Sequence, residues 1–372
     1  MDQAPLAAAQ AFHPPGAVLK VSPLGSGNVN DTFLVQTSRG AFVLQRLNTA
    51  VFPAPEQVMR NLQTLEAHIE RKGRPLGGSR WEHPRLLAPA TGGNDLWHRC
   101  PEGEIWRCMS FIGNARSVDR IEDENQAYQL GLGLGRFHQL IGDLPAEELH
   151  DTLEGFHITP RYLDQYRQAL VRTRAESSDD TDYCIAFIRE REEFCSVLEQ
   201  AKARGELQER PIHGDPKINN VMLDNVSGEA IALIDLDTVK PGLVHYDIGD
   251  CLRSCCNPAG EETTDLRGVR FDLVLAEAIL RGYLEAAGSL LTASDRRFIP
   301  ESARLISFEL GLRFFTDHLN GDRYFKVSQP GQNLRRARVQ FALTQSIEEQ
   351  WDALQALLLR LSTKSKAALD AA

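Results

Sequence analysis

The stretch HGDPKINN, residues 213–220, puts a carboxylate, a lysine and two asparagines in one short loop, and LIDLD follows at residues 233–237. Between them, NVMLD and EAIALID are apolar, β-prone runs separated by the turn sequence NVSG. This pattern predicts an antiparallel hairpin over residues 220–235. Because a hairpin returns the chain to its starting edge, we expect Asn220 to lie near Asp235, with the preceding loop at the same end.

The side chains at this end of the hairpin have complementary chemistry. Asp215, Asp235 and the amide of Asn220 offer hard oxygen ligands of the kind that Mg²⁺ prefers. Phosphoryl transfer needs a bridging metal, a residue that orients the attacking hydroxyl and accepts its proton, and cations near the phosphate oxygens. We assign the hydroxyl-orienting role to Asp215, the metal to Asn220 and Asp235, and a phosphate contact to Lys217. The spacing therefore predicts a phosphoryl-transfer site.

Length and composition are those of a globular protein with more than one domain or lobe. The chain has 372 residues, 42% of them hydrophobic and 25% charged, and a net charge of −10. This charge disfavours binding to nucleic acid or to an anionic membrane, and it suits a neutral or cationic substrate. The seven cysteines form no C-x-x-C pair, and the N-terminus lacks the features of a signal peptide. We expect a cytoplasmic protein with free thiols.

The chain changes character near Gly113. Before it, short alternating runs predict a meander of strands, and EQVMRNLQTLEAHIE has apolar residues at helical spacing. After it, apolar stripes of helical period dominate, and strands are predicted only within residues 220–235. We expect an α+β fold with a small β-rich lobe over residues 1–112 and a larger, mostly helical lobe over residues 113–372.

One glycine-rich segment imitates a nucleotide-binding loop. GLGLGRF begins at Gly131, but Leu130, Leu134, Phe137 and Ile141 continue a helical period straight through it. We therefore predict a helix whose small residues allow a neighbouring element to approach closely.

Several motifs in order along the chain resemble one superfamily. HGDPKINN resembles the H-x-D-x-x-x-x-N catalytic loop of the aminoglycoside phosphotransferase and choline kinase superfamily, and LID resembles its magnesium-binding segment. GNVNDTFLV, FVLQRLN, FHITPRY and LRFFTDHLNGDRYF resemble the N-acetylhexosamine 1-kinases more closely. The resemblance covers nearly the whole chain. It implies a bilobal protein-kinase-like fold, ATP and Mg²⁺ at the hinge, and a small hydroxylated substrate in the helical lobe.

The resemblance also assigns nucleotide-binding residues in the β-rich lobe. Arg46 takes the place of the lysine that protein kinases carry on the third strand, and strand parity puts it on one face with Leu44. Glu56 and Glu66 are alternative partners for Arg46, or plain surface charges. The loop over the phosphates contains four further candidate residues, which are Gly25, Gly27, Asn28 and Asp31.

In the helical lobe the resemblance assigns supporting and substrate residues. His213 and Asp247 brace the catalytic loop, although Asp247 also suits the N-cap of a helix. The substrate contacts implied are Lys217, Arg313 and Tyr324. Two alternatives stay open: Arg313 forms a helical ion pair with the acid four residues before or after it, and Tyr324 is a core aromatic.

The chain departs from the hexosamine kinases around the presumed sugar pocket, at Asn28, Gly214 and Ser254. We therefore predict a kinase of carbohydrate metabolism, a monomer or homodimer that phosphorylates a sugar hydroxyl, with the anomeric hydroxyl of an N-acetylhexosamine implied by the resemblance. The alternatives are a choline, homoserine or aminoglycoside kinase, a metal-dependent hydrolase, and a nucleotide-binding regulator. The hydrolase would draw its metal ligands from His138, His213, Asp215, Asp235, His245 and Asp247.

Overall fold

A computed structural model describes residues 3–12, 16–25, 29–73, 80–90, 95–173 and 177–369. The strands in these ranges are β1 Val18–Pro23, β2 Asp31–Thr37, β3 Gly40–Arg46, β4 Leu86–Leu87, β5 His98–Arg99, β6 Ile105–Ser110, β7 Ala115–Arg116, β8 Arg210–Ile212, β9 Val221–Asp224, β10 Ala230–Leu233 and β11 Lys240–Gly242. The helices are α1 Gln3–Ala11, α2 Pro55–Lys72, α3 Glu124–Ile141, α4 Thr159–Arg172, α5 Asp179–Arg189, α6 Val197–Ala203, α7 Val244–Cys255, α8 Leu273–Ala287, α9 Ala293–Arg297, α10 Ile299–Leu319, α11 Gln332–Glu349 and α12 Trp351–Leu369.

The N-terminal sheet is antiparallel, with the order β1-β2-β3-β6-β4 and with β5 also paired to β6. In its centre Gln45 lies opposite Arg107, and Arg46 lies opposite Trp106. Leu44 and Trp106 are buried against Phe12 at the end of α1, so α1 covers this face of the sheet. Successive strand residues point to opposite faces, and Gln45 and Arg107 therefore share the other face.

The predicted hairpin forms as β9 and β10. The two strands are antiparallel, and Val221 is paired with Leu233. The short strand β7 adds to β9, and a separate pair, β8 and β11, frames the loop that begins at His213. The prediction of strands only within residues 220–235 was therefore incomplete, because β7, β8 and β11 are too short to show a period of two.

Close helix packing explains the glycine-rich segment, which is helical as predicted. A Cβ atom on Gly131 of α3 would lie 1.9 Å from the carbonyl oxygen of Ile279 in α8. From the other side, a Cβ atom on Gly282 would lie 2.1 Å from the carbonyl oxygen of Tyr128. These glycines let the two backbones touch, and the pair forms the centre of the helical part.

The predicted α+β class is confirmed, with a β-sheet in the N-terminal part and helices dominating the C-terminal part. The chain leaves the N-terminal sheet after Ser110 and joins β9 at Ala115. These two residues flank the predicted boundary at Gly113, and the division into lobes stays a prediction. In the part of the chain that the structure describes, no helix has the length and apolarity needed to cross a membrane.

Candidate active site

The catalytic loop connects β8 to β9 and gathers three of the predicted residues. The Nζ atom of Lys217 lies 2.8 Å from Oδ2 of Asp215. The Nδ2 atom of Asn220 donates to the main-chain oxygen of Asp215 at 2.7 Å and approaches its Oδ2 at 3.4 Å. The Asp215 carboxylate is thus held from two sides. The charges of Asp215 and Asp235 raise the pKa of Lys217 although burial opposes them, so this lysine stays protonated.

Asp247 holds the start of this loop. Its carboxylate accepts hydrogen bonds from the backbone N–H groups of His213 at 2.7 Å and Gly214 at 2.8 Å, and from Nε2 of His138 at 2.8 Å. Burial alone would raise the pKa of Asp247, but these partners lower it, so the carboxylate is ionised. Helix α7 begins at Val244, so Asp247 lies inside its first turn and is not the N-cap.

His213 is a buried, neutral side chain in this loop. Burial lowers the pKa of its imidazole. Its Nε2 donates to the carbonyl of Ile234 at 3.0 Å, and its Nδ1 accepts from the backbone N–H of Asp215 at 3.2 Å. Both ring nitrogens are therefore occupied in joining the loop to the end of the hairpin, which leaves neither free to act as a base.

Gly214 explains one departure from the hexosamine kinase pattern. Its φ of +87° is rarely adopted by residues with a side chain, and a Cβ atom would lie 2.6 Å from the carbonyl oxygen of Thr238. The hydroxyl of Thr238 donates to the carbonyl of His213 at 2.7 Å. The loop and the segment after β10 are therefore packed backbone to backbone at this point.

Asp235 ends the hairpin in a left-handed conformation, with φ 63° and ψ 56°. The residue is exposed, and its carboxylate receives no hydrogen bond from any residue that the structure describes. The surrounding protein, together with the charges of Asp237 and Asp215, raises the pKa of Asp235 to about 6. A cation bound at this carboxylate would relieve that repulsion.

The donor set at the hairpin end fits a hard cation. Asn220 commits its Nδ2 to the backbone of Asp215, which leaves its Oδ1 as the amide ligand beside the carboxylates of Asp215 and Asp235. Among the described residues, no group of three or more His, Cys, Asp or Glu side chains has the geometry of a metal site. Mg²⁺ takes few protein oxygens and completes its shell with water and substrate phosphates, so Asn220, Asp215 and Asp235 are the residues whose oxygens would hold it.

The structure argues against the predicted phosphate contact of Arg46. Its guanidinium binds Asp31 and Glu104, each at 2.5 Å, and 38% of the side chain is exposed. The hydrogen bond to Asp31 is the main reason that the pKa of Arg46 is raised. Arg46 does share a face with Leu44, but that face packs against α1 and Trp106 and not against the catalytic loop.

Neither predicted glutamate pairs with Arg46. Glu56 binds Arg99 at 2.5 Å, and Glu66 accepts from the backbone N–H of Leu86 at 3.2 Å. Helix α2 therefore contributes its acids to other parts of the N-terminal sheet, and Glu104 of the neighbouring chain segment takes the place expected for them.

The predicted phosphate loop is only partly described. Gly25 has a φ of +71°, a conformation that glycine adopts readily in turns, and a Cβ atom added there would have nothing within 4 Å. The Asp31 carboxylate forms an ion pair with Arg46. Gly27 and Asn28 lie outside the described residues.

A cavity of about 850 Å³ is bordered by the start of α2 and by α4 and α10. Phe156 in its wall is followed by His157, whose Nε2 lies 2.8 Å from the carbonyl oxygen of Gly214 in the catalytic loop. Arg313 and Tyr324 both line the cavity, as does Tyr162. Tyr324 is 61% exposed, so it is not a core aromatic.

Aromatic rings and not carboxylates surround Arg313. Its guanidinium carbon lies 5.0 to 6.0 Å from the ring centroids of Tyr162, Phe156, Phe325 and Tyr324. Burial opposes its charge, but the acidic groups of Tyr162, Tyr324 and Glu309 raise the pKa of Arg313. The guanidinium is therefore charged and fixed at the cavity wall.

The two acids four residues from Arg313 have other partners. Glu309 binds Nδ1 of His157 at 2.9 Å and the hydroxyl of Thr159 at 2.7 Å, and Nε2 of His157 donates to the carbonyl of Gly214 at 2.8 Å. Asp317 accepts three backbone N–H groups from residues 323–325, each at 2.9 Å. The helical ion pair that the spacing allowed does not form among the described residues.

Ser254 supports the catalytic loop. Its Oγ accepts from the backbone N–H of Ile218 at 3.2 Å. The position where the hexosamine kinase pattern led us to expect an aromatic wall is thus used to hold the loop that carries Asp215 and Lys217.

Comparison with family models assigns the chain to a family. Residues 20–288, more than half of the sequence, match the phosphotransferase enzyme family. The chain belongs to this family. The predicted enzyme class, a phosphotransferase with an alcohol group as acceptor, is thereby confirmed, and the protein is a small-molecule, kinase-like phosphotransferase.

Solved structures share the fold of this phosphotransferase. A microcompartment-associated aminopropanol kinase has a TM-score of 0.63 at 17% identity, over 96% of this chain and 99% of that one. An aminoglycoside phosphotransferase from Alicyclobacillus acidocaldarius has 0.62 at 16%, over 98% and 96%. A spectinomycin phosphotransferase in complex with ADP and spectinomycin has 0.57 at 12%, over 91% and 97%. At these identities the similarity shows the predicted kinase-like fold.

Sequence reasoning missed several buried residues that contact the segments carrying the candidate site. Arg107 of β6 is 1% exposed and lies 2.5 Å from Oδ1 of Asp237, which is 3% exposed. Oδ2 of Asp237 accepts from Nδ2 of Asn30 at 2.6 Å. An arginine inside the apolar run IWRCMS and a second acid in LIDLD were the available signals. The contact of His157 with the catalytic loop had no comparable signal.

Proposed function

We propose that this phosphotransferase is an ATP- and magnesium-dependent kinase of a sugar hydroxyl, with the anomeric hydroxyl of an N-acetylhexosamine as the leading acceptor. The observation that carries the proposal is the convergence of Lys217 and Asn220 on Asp215 at the end of the hairpin where Asp235 lies. The cavity lined by Arg313 connects to this loop through Phe156 and His157. ADP in a solved structure of the same fold supports the choice of nucleotide.

The residues of the loop divide the work of phosphoryl transfer. Asp215 orients the acceptor hydroxyl and takes its proton, and Lys217 holds the Asp215 carboxylate in place. Asn220 and Asp235 would hold Mg²⁺, which supplies positive charge against the phosphate oxygens. Asp247 and His213 keep the loop in this conformation from behind. In this proposal the protein mainly holds the acceptor hydroxyl and the nucleotide phosphates in a reactive geometry, as phosphoryl transfer requires.

The environment of Arg313 favours a neutral polyol over a quaternary amine. Four aromatic rings form a cage of the kind that binds quaternary ammonium groups, but the protein's own guanidinium occupies it. A cationic acceptor in the cavity would be repelled by Arg313, whereas sugar hydroxyl or acetamido oxygens can accept its hydrogen bonds. The choline-type alternative is therefore disfavoured at the Arg313 side of the cavity, whose remaining lining carries the acids Asp151, Glu154 and Asp317.

The hydrolase alternative lacks an assembled metal site. His138 binds Asp247 and Tyr283, and His245 binds the carbonyl of Asp295 at 2.8 Å, so neither histidine joins the carboxylates at the hairpin end. In the described part of the chain these histidines serve packing and loop support.

A screen of acceptors tests the proposal. Amino sugars and their N-acetyl derivatives, neutral hexoses, choline, homoserine, aminopropanol, ethanolamine and aminoglycosides are compared for ADP release that requires both Mg²⁺ and acceptor. We expect an N-acetylhexosamine to have the highest kcat/KM, and release of phosphate from its product by mild acid would identify the anomeric position. A best acceptor among the amines would overturn the sugar assignment and leave only the kinase activity.

A further inference from the structure

Arg46 does not connect the N-terminal sheet to Asp235, the proposed metal ligand. Arg46 is neutralised by two exposed acids on the face that packs against α1. The opposite face presents Arg107, whose Nε and Nη2 both donate to Oε1 of Gln45, at 2.9 and 2.5 Å. Its third nitrogen, Nη1, faces Asp237. The guanidinium is thus fixed in orientation.

Asp237 receives contacts from two segments of the N-terminal part, and a third segment holds one of them. Arg107 reaches it from β6, and Asn30 reaches it from the residue just before β2. The Oδ1 atom of Asn30 in turn accepts from the backbone N–H of Asn48, just after β3, at 3.0 Å. We call Asn30, Arg107 and Asp237 the buried bridge, because each of them is nine-tenths or more buried.

The buried bridge ends two residues from Asp235. Residues 236–238 form a single 3₁₀ turn, and Asp235 enters it in the left-handed conformation. Such a conformation costs free energy in a residue with a side chain, and it persists only where the surroundings impose it. Asp237 is the side chain of this turn that is tied to the N-terminal sheet.

We propose that Arg107 is a positioning residue that acts through Asp237 to set the place of the Asp235 carboxylate against the nucleotide-binding sheet. The segment just before β2, where Asn30 lies, and the proposed metal ligand then move as one body. A buried ion pair adds little net stability compared with an apolar pair, and its contribution here is to specify one arrangement. This inference rests on the proposed function, because it takes Asp235 to be a magnesium ligand.

The test measures binding of a non-hydrolysable ATP analogue by calorimetry, with and without Mg²⁺, so that no acceptor is needed. We expect Arg107→Gln to lower the affinity in Mg²⁺ at least tenfold and to change the affinity without Mg²⁺ less than twofold. The matched control is Arg80→Gln, since Arg80 lies 2.6 Å from Asp224 and joins the segment before β4 to the hairpin at a distance from Asp235. The control is expected to stay within twofold of the wild type in both conditions.

A double variant separates positioning from folding. Arg107→Gln combined with Asp237→Asn leaves no unpaired buried charge, so its melting temperature is expected to exceed that of Arg107→Gln alone. Its Mg²⁺-dependent affinity is expected to stay low. Recovery of that affinity together with the melting temperature would show a structural role only and overturn the inference.

Asn30→Ala is the second test, for the case that Arg107→Gln does not fold. It removes the hydrogen bond from Asn30 to Asp237 without removing a charge. We expect the affinity for the ATP analogue in Mg²⁺ to fall several-fold. Wild-type affinity in Asn30→Ala would overturn the inference. If the wild-type protein itself binds the analogue equally with and without Mg²⁺, the proposed function fails, and the inference fails with it.

Discussion

Lys217 lies 2.8 Å from the Asp215 carboxylate, and both side chains come from one loop of the phosphotransferase. The lysine holds the Asp215 carboxylate in one orientation, as a residue that accepts a proton from the acceptor hydroxyl requires. We therefore predict that Asp215→Asn lowers kcat by about 100-fold to 10,000-fold, the range typical of a lost general base. Single-turnover rates with the best acceptor measure this loss.

The Asp215→Asn variant also has an internal control. An asparagine retains the shape of the aspartate and its contact with Asn220, so nucleotide binding is expected to stay nearly intact. A single-turnover rate within about tenfold of the wild type would exclude Asp215 as the proton acceptor.

For Asp235→Ala we predict loss of the Mg²⁺-dependent part of nucleotide affinity. The substitution removes a carboxylate that has no other partner among the described residues, so little else in the fold depends on it. Titration of ATP with and without Mg²⁺ measures the effect. An unchanged response to Mg²⁺ would place the metal elsewhere.

Arg313→Ala is expected to lower kcat/KM for the sugar by about 1–3 kcal/mol, since it leaves hydrogen-bonding groups of the acceptor unpaired. The KM for nucleotide should barely change, because Arg313 lines the acceptor cavity. Arg172→Ala, at an exposed position at the end of α4, serves as the control. Equal kcat/KM values for the two variants would contradict the assignment of the sugar site.

Arg46→Ala is expected to leave the KM for nucleotide within about twofold of the wild type. The ion pairs of Arg46 with Asp31 and Glu104 lie on the face of the sheet that packs against α1. Loss of such surface ion pairs changes the free energy of unfolding by at most about 1 kcal/mol. Steady-state kinetics at varied ATP concentration checks this. A rise of tenfold or more would restore Arg46 as a phosphate contact and would mean that the side chain reorients when nucleotide binds.

Gly214→Ala is expected to destabilise the fold by about 2–4 kcal/mol, because strain at a positive φ adds to a clash with the backbone of Thr238. Gly228→Ala is the matched control, since Gly228 has a φ of +73° but nothing within 4 Å of the added Cβ atom. Urea denaturation compares the two. Equal losses would show that the contact with Thr238 is unimportant.

The local pattern of the sequence was sufficient for the hairpin and the residues at its end. Apolar runs on either side of NVSG determine the turn, and the strand pairing that follows brings Asn220 to Ile234, whose backbone N–H donates to the carbonyl oxygen of Asn220 at 2.9 Å. Asp235 is the next residue. The helix through Gly131 followed in the same way, because its apolar period continues on both sides of the glycines.

Tertiary packing decided which cation of the N-terminal sheet reaches the turn after β10. Strand parity shows that Gln45 and Arg46 point to opposite faces, but it does not show which face another element will cover. Helix α1 covers the face of Leu44 and Arg46. The face that contacts Asp237 therefore carries Gln45 and the buried Arg107, which comes from a strand some sixty residues away in the sequence.

The setting of Arg313 was decided in the same way. Spacing of four residues permits ion pairs with Glu309 and Asp317 on any exposed helix. In this fold α10 is largely buried. Glu309 therefore binds His157, and Asp317 binds the backbone of residues 323–325. Aromatic rings from three other segments surround the Arg313 guanidinium. The sequence determined which groups lie on the helix, and the burial of the helix determined their partners, because a buried charge must be satisfied by whichever groups the packing brings to it.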